Sequence, residues 1–465
     1  MFKLKENNTT VKTEFLAGLT TFMAMAYILF VNSGMFAELG VVSYNAIYIA
    51  TALSAIVGTV LMGLLANLPL AQASGMGLNA FFVYTVCMGF GLSYANALVL
   101  ILAEGLLFIL LTVTGLRKII FESIPKAVRV AIPAGIGLFI AFIGLQNAGI
   151  VVGDAATKVN LVSMNLLKDG VTLTTLFPIA ITLLSLILMA ALSARKVKGA
   201  VLWGILGGSV LYYVLGYAFG AFGWIEFAGI SLSSANPFTA FKEFGEMSFG
   251  KVFTEGFDFS AYIASHGSTS LWLTIVTTSL AFCMVDMFDT IGTLFGACSR
   301  GNLLTKEGDV PNMNQAMLAD AIATTTGAIF GTSTVTTYVE SSAGVAEGGK
   351  TGLTAMFTAL FFFIAMFFSP VASLIPGCAT AAALVYVGVL MMNCVKDVDW
   401  ISADSAVPAF LTLAIMAFTY NISYGIAFGM ISYIAIKLFS GKIKETKLTT
   451  WIIALLFAVM FFTTH

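Results

Sequence analysis

The sequence predicts an all-α polytopic membrane protein of fourteen segments, arranged as two inverted repeats of seven, and three observations carry that prediction. Of 465 residues, 59% are hydrophobic and 10% charged, against roughly a quarter charged in soluble domains, and the mean hydropathy is +0.97. Apolar stretches of spanning length recur along the whole chain. Two segments, at equivalent places in the two halves, are too polar or glycine-rich for ordinary membrane helices. The same composition excludes a soluble enzyme, a disordered chain and a nucleic-acid binder working through a basic surface, since 22 Lys and Arg stand against 23 Asp and Glu.

The amino terminus, MFKLKENNTTVKTE, is polar, and the apolar run after it has no small-residue cleavage site, so a retained first helix is expected rather than a signal peptide. At about 20 apolar residues per crossing, the segments fall at 15–31, 44–66, 70–90, 94–116, 127–149, 172–194, 199–222, 271–298, 313–331, 333–346, 352–374, 378–394, 404–420 and 421–440. A further apolar stretch, 449–463, fits either an additional span or an interfacial segment. Counted from a cytoplasmic amino terminus, eighteen of the 22 basic residues lie in cytoplasmic segments, among them Lys3, Lys5, Lys12, Arg117, Lys118, Lys126, Arg129, Arg195, Lys350 and Lys437. Only Lys158, Lys168, Lys242 and Lys251 lie outside. One miscounted helix would scramble this positive-inside asymmetry.

The longest polar interruption, 223–270, falls outside and separates two sets of seven. An odd number per half makes the second half enter from the opposite side, as in secondary transporters with inverted repeats. IPAGIGLFIAFIG (132–144) and IPGCATAAALVYVG (375–388) open on Ile-Pro and close on Gly at corresponding places. Segment three contains LAQASGMGLNAFF (70–82) and segment ten GTSTVTTYVESSAG (331–344). Neither suits a lipid-exposed helix, and unwound backbone at membrane depth requires burial in protein or a cavity to line. Paired irregular segments point to a substrate site.

Four acids lie at membrane depth: Glu104 in segment four, Asp286 and Asp289 in segment eight, and Glu340 in segment ten. Each costs about 2.5–3.5 kcal/mol at mid-membrane on insertion scales, with no Lys or Arg at that depth to neutralise it. They must be protonated, bound to a cation or hydrogen-bonded to a ligand. Asp286 and Asp289, three apart, share a helix face and hold each other's titrations apart, so one can bind substrate while the other exchanges a proton. The alternative for Asp289, beside Thr290 and Thr293, is a buried hydrogen bond that merely holds the bundle together. Glu340 follows Thr332, Ser333, Thr334, Thr336 and Thr337, and could accept N–H bonds from a polar heterocycle or be satisfied by nearby backbone. Glu104, next to Gly105 in an apolar helix, fits a structural and a functional role equally. Asn79 offers a donor and an acceptor beside flexible glycines. Phe81 and Phe82 could stack on a ligand, but among 40 phenylalanines lipid contact is the expected role for either.

GVAEGGKT (344–351) matches the phosphate-loop pattern, but an apolar helix follows it and no later acid closes an apolar strand as a magnesium ligand should. GMGLNA (75–80) resembles a dinucleotide turn in the wrong context. The five cysteines (Cys87, Cys283, Cys298, Cys378 and Cys394) lie in or beside apolar segments without metal-ligand spacing and read as small hydrophobes, neither disulfide-bonded nor zinc-bound. His266 and His465 sit in a loop and at the terminus, which leaves any proton chemistry to carboxylates.

TEFLAGLTTFMAMAYILFVN (13–32), SGMGLNAFF (74–82), AGIGLFIAFIGLQNAGI (134–150), MFDTIGTLFG (287–296), DAIATTTGAIFGTSTVTTYVESSAGVAEGGKTGLTA (320–355) and VPAFLTLAIMAFTYNISYGIAFG (407–429) together resemble the AzgA-like purine permeases of the nucleobase/ascorbate transporter superfamily. The resemblance runs over nearly the whole chain. It implies a core domain (1–116 and 271–374) and a gate domain (117–222 and 375–447), an extracytoplasmic loop at 223–270 and a terminal apolar segment at 448–465. It also implies short strands in segments three and ten holding substrate between them, and a homodimer formed through the gate domain. Asn79, Asp286 and Glu340 would bind the purine, Asp289 would lie near the site, and Ser333 and Thr334 of the hydroxyl run are candidate substrate-binding residues as well. The chain departs from the family pattern at Ser33 and Ser74, where proline is usual, and at Lys350, where arginine is common.

The function expected is proton-coupled import of purine nucleobases (hypoxanthine, guanine or adenine) by alternating access in the bacterial inner membrane, without a cofactor and without nucleic acid. Asp289, Glu340 or Asp286 would carry the proton, and lipid surrounds the protein. The alternatives are an anion carrier of the sulfate type or a pyrimidine carrier on the same architecture, and an intramembrane aspartyl enzyme using Asp286 and Asp289. The last is disfavoured because productive aspartyl pairs converge from separate elements.

Overall fold

The computed structural model describes residues 2–116, 123–167, 170–230, 236–306 and 308–461. Arg117, Lys118, Lys168 and His465, used in the charge and histidine readings above, lie outside the described residues. The protein is an integral membrane protein built mostly of helices. Among the described residues, ten helices are long and apolar enough to cross a membrane, and Met76–Gly89, Ala403–Phe418 and Leu448–Val459 are shorter apolar helices. The first apolar segment is longer than expected, running as helices Val11–Met25 and Tyr27–Ala37. The eighth, Ser268–Arg300, is a single helix of 33 residues.

Segments three and ten are irregular, as expected. Each enters as a three-residue strand, β1 (Gln72–Ser74) and β2 (Val335–Thr337), and leaves as a short helix, Met76–Ala80 and Ser341–Ala346. The strands pair antiparallel, with Gln72 opposite Thr337, Ala73 opposite Thr336 and Ser74 opposite Val335. Backbone bonds Gly75 N to Thr334 O (3.0 Å) and Tyr338 N to Ala71 O (3.0 Å) extend the pairing at both ends. Thr59 and Thr324 supply side-chain bonds to strand backbone, Gln72 N to Thr59 Oγ1 at 3.0 Å and Val335 N to Thr324 Oγ1 at 3.2 Å. Two isolated strands are thereby satisfied inside protein, where lipid could not serve them. Ser74 stays in the strand and its hydroxyl meets that of Thr332 at 2.8 Å. Ser33 bonds back to Leu29 O at 2.5 Å within a continuous helix.

The helices pack in two sets, the first of them against the strands. Met313–Phe330 lies against Tyr94–Thr114 and Tyr44–Leu61, and Gly352–Ala365 lies against Val11–Met25 and Tyr44–Leu61. In the other set, Lys126–Asn147 lies against Gly377–Met391 and Ala403–Phe418, and Leu173–Ala194 against Ala200–Ala221. Small residues set the closest crossings, as is usual where lipid supplies no hydrophobic drive between helices. A Cβ on Gly352 would stand 2.1 Å from Gly63 O, and one on Gly388 would stand 2.4 Å from Gly137 O.

The phosphate-loop look-alike has a structural use. Glu14, fully buried, accepts from the backbone N–H of Lys350 (3.2 Å), Thr351 (3.4 Å) and Thr354 (3.1 Å) and from the Thr354 hydroxyl (2.5 Å). The anion that the start of helix Gly352–Ala365 attracts is thus a side chain of the first helix.

The all-α expectation omitted a hairpin of Val151–Asp154 with Lys158–Leu161. Its turn is closed by Asp154, whose carboxyl accepts from the N–H groups of Thr157 and Ala156, and these bonds hold its pKa down at about 2. The 223–270 interruption contains helices Pro237–Met247, Lys251–Thr254 and Ser260–His266. It docks on the turn into segment ten, where Ser248 Oγ donates to Phe330 O (2.7 Å), and on the start of helix Tyr94–Thr114, where Asn96 Nδ2 donates to Gly256 O (2.8 Å). The terminal helix Leu448–Phe461 has 14 residues. It packs on Ile422–Phe439 and Ser268–Arg300.

Candidate functional site

The strand crossing gathers the polar groups of the interior. Asn79 lies one helical turn beyond β1, fully buried; its Nδ2 reaches back to Ser74 O at 3.4 Å, and its carbonyl accepts from the Ser333 hydroxyl. Thr334 Oγ1 donates to Glu104 Oε2 at 2.6 Å. Thr332 Oγ1 accepts from Asn32 Nδ2 at 3.1 Å. Thr336 Oγ1 meets Thr290 Oγ1 at 2.8 Å. Every hydroxyl of the Thr332–Thr337 run is therefore engaged with another element, so the run locks the crossing together rather than offering one free face.

The acids fall into two groups. Asp286 on Ser268–Arg300 is fully buried, with the Thr336 hydroxyl and the Asp320 carboxyl in hydrogen-bonding reach. It lies within electrostatic range of Asp320, Glu104 and Asp289. Three residues further along, Asp289 is only half-buried and faces Glu340. Glu340, also half-buried, caps helix Ser341–Ala346 and accepts from Tyr27 OH at 2.5 Å. Tyr338 stands beside this pair, with its hydroxyl on Ser74 O at 2.5 Å. The structure thus brings Asn79 together with Ser333, and Asp286 together with Thr336 and with Glu104, on which Thr334 donates; Asp289, three residues beyond Asp286, pairs instead with the Glu340 side.

Sequence reasoning missed Asp320, Gln72 and Tyr27. Asp320 is fully buried; its Oδ1 accepts from Gln72 Nε2 (2.8 Å), Thr290 Oγ1 (2.9 Å) and Thr337 Oγ1 (3.3 Å). The available signal was an acid opening the Ala/Thr run DAIATTTGAIF, masked by the polar MNQ start of its helix. Phe81 and Phe82 correct the lipid-facing expectation. Both are fully buried, Phe82 stacked on Phe36 with centroids 5.0 Å apart and Phe81 tilted on Phe282 at 4.8 Å, because their helix continues inward from the crossing.

Among the described residues, no ion pair reaches Glu104, Asp286, Asp289, Asp320 or Glu340; the basic groups pair elsewhere, as Lys437 does with Asp404 (2.7 Å) and Glu445 (2.7 Å). Nor do any three His, Cys, Asp or Glu side chains among them form a group able to hold a metal ion. An acidic interior without fixed cations offers hydrogen-bond acceptors to a neutral donor and sites for protons. A cavity of about 440 Å³ lies between Tyr27–Ala37, Lys126–Asn147 and Gly377–Met391, lined by Val31, Glu38, Asn147, Thr380 and Leu384 among others. At its rim, Tyr84 OH and Asn147 Nδ2 both donate to Glu38 at 2.9 Å.

Residues 12–428 match the Permease family. The chain is 40% identical to the guanine/hypoxanthine permease PbuO of Bacillus subtilis over 99% of its own length and 100% of that protein's. It is 37% identical to the adenine permease AdeP of Escherichia coli, covering 98% of this chain and 94% of that one. Its fold is also that of the transmembrane domain of the cyanobacterial bicarbonate transporter BicA, with a TM-score of 0.61 at 14% identity over 89% of this chain and 97% of that one. In agreement with the resemblance drawn from its motifs, the chain belongs to the Permease family and is a membrane transporter rather than an enzyme.

Proposed function

We propose that this protein imports purine nucleobases (hypoxanthine, guanine or adenine) by proton symport through alternating access. The observation that carries the reading is Asp286, a fully buried carboxyl at the strand crossing, where the Thr336 hydroxyl and other acids surround it and, among the described residues, no basic group pairs with it. A neutral purine presents ring N–H groups, and a carboxylate is the acceptor that forms their strongest hydrogen bonds. Asp286 and Glu340 grip the base, Asn79 bonds an adjoining edge, and Ser333 and Thr334 hold Asn79 and the acidic wall in place. Asp289, Glu340 or Asp286 takes up the coupling proton. The full-length relationship to permeases named for guanine, hypoxanthine and adenine supports this substrate class.

The wider architecture follows the same reading. Fourteen segments form two inverted repeats of seven, supported by the antiparallel meeting of one strand from each half. A core (1–116 and 271–374) moves against a gate (117–222 and 375–447), supported by the two packing sets of helices. The amino terminus is cytoplasmic, the membrane is the bacterial inner membrane, the gate forms a homodimer, and no cofactor is needed. The bicarbonate transporter shares the fold, but an anion would meet unpaired carboxylates here, which disfavours that cargo.

In membrane vesicles, labelled hypoxanthine is expected to accumulate when the outside is made acidic, with or without sodium. Uptake that ignores the pH gradient and follows a sodium gradient would overturn proton coupling.

A further inference from the structure

Glu104 is a buried carboxyl for which purine binding provides no task. It sits mid-helix in Tyr94–Thr114, and its neighbour Gly105 permits the contact that matters: a Cβ there would lie 2.8 Å from Thr325 N on Met313–Phe330. This close crossing brings Glu104 within electrostatic range of Asp320, and Asp286 lies within range of both. All three are fully buried. The Asp286 and Asp320 carboxyls lie within hydrogen-bonding reach of each other, an arrangement that needs a proton between them, and Thr336 also reaches Asp286. The other titratable groups facing the cluster are Cys283, beside Glu104 and Asp286, and Asp289, beside Asp286 and Asp320. None of them is basic.

Three neighbouring carboxyls in an apolar interior cannot all be anionic, because each ion loses its hydration and repels the others. Protons must occupy part of the cluster. The donors that do reach Glu104 and Asp320 come largely from the crossing itself: Thr334 to Glu104, and Thr337 and Gln72 to Asp320. An anionic carboxylate needs those donors; a protonated one needs them less and becomes a donor itself. The charge of the cluster is therefore tied to the geometry of the two strands.

The geometry points to a proton site separate from the purine-contacting edge: Glu104 and Asp320, in place of Asp289, Glu340 or Asp286, share the coupling proton behind the crossing strands, with Asp286 between this site and the substrate. This deepens the importer reading and rests on it. On loading, a hydronium ion gives its proton to a carboxylate, forming one O–H bond and leaving water. On unloading, that bond breaks and water carries the proton away.

The test uses full-length protein in liposomes with labelled hypoxanthine. Exchange of labelled for unlabelled base needs no net proton movement, whereas accumulation under an imposed pH gradient does. Glu104→Gln is expected to slow exchange by no more than about threefold while lowering gradient-driven accumulation by roughly tenfold or more, within the range of a single coupling free energy. Asp320→Asn should behave alike, and Glu104→Asp, which restores a titratable group, should recover accumulation. Accumulation like the wild type in either amide variant would overturn the proposal, as would equal loss of exchange and accumulation in both, or accumulation driven by sodium in place of protons. Wild-type protein that exchanges no hypoxanthine would instead overturn the importer reading on which the proposal rests.

Discussion

Asp286→Asn and Glu340→Gln are each expected to abolish hypoxanthine uptake while leaving folded protein at wild-type levels. The two substitutions preserve shape and remove one acceptor charge. Hydrogen bonds to charged groups contribute about 1.5–3 kcal/mol, and an amide NH₂ turned toward a purine N–H adds an unpaired donor in a buried site. Together these losses exceed a hundredfold in affinity at about 1.4 kcal/mol per factor of ten. Folding should survive for reasons particular to each position. At Asp286 the asparagine carbonyl can still accept from the Thr336 hydroxyl. At Glu340 the glutamine carbonyl can still accept from Tyr27 OH, now 2.5 Å from Oε1. Uptake into cells, with the amount of monodisperse protein as the control, reads the result. Normal transport by either variant would refute its assignment.

Gly352→Val is expected to prevent accumulation of folded protein. A Cβ at this position would stand 2.1 Å from Gly63 O and 2.7 Å from Gly63 C, both backbone atoms that cannot rotate away. Overpacking a well-filled interior typically costs about 1–3 kcal/mol when side chains can yield, and here the helices themselves would have to separate. Separation would also pull Lys350, Thr351 and Thr354 from Glu14, uncapping the helix that begins at Gly352. Yield after detergent extraction and the melting temperature of whatever is recovered measure the effect. A variant that melts within a few degrees of the wild type would show the crossing to be looser than described.

The parts of this molecule readable from sequence are those where membrane chemistry permits few solutions. Glycine, serine and threonine at spanning depth exclude a lipid-exposed helix, so LAQASGMGLNAFF and GTSTVTTYVESSAG identified the irregular segments, and both contain strands. Asp286 and Glu340 stood out because acids in apolar surroundings have few tolerable environments. Asp320 was hidden by its polar neighbours, and its burial depends on Gln72, 248 residues away, and on Thr337, 17 residues away. Glu14 read as part of a polar tail because its partners lie more than 330 residues downstream. Phe81 and Phe82 were assigned to lipid and proved buried, since composition alone does not distinguish lipid from protein as the apolar neighbour. The Val151–Asp154 hairpin has two four-residue strands, largely exposed, too short to impose a legible alternation.

The most direct test of the central claim, that an acidic chamber at the strand crossing holds a neutral purine, is calorimetric titration of the purified wild-type protein with hypoxanthine and, separately, with sulfate. Saturable heat with hypoxanthine and none with sulfate is the predicted result. Saturable binding of sulfate, with hypoxanthine silent, would contradict it.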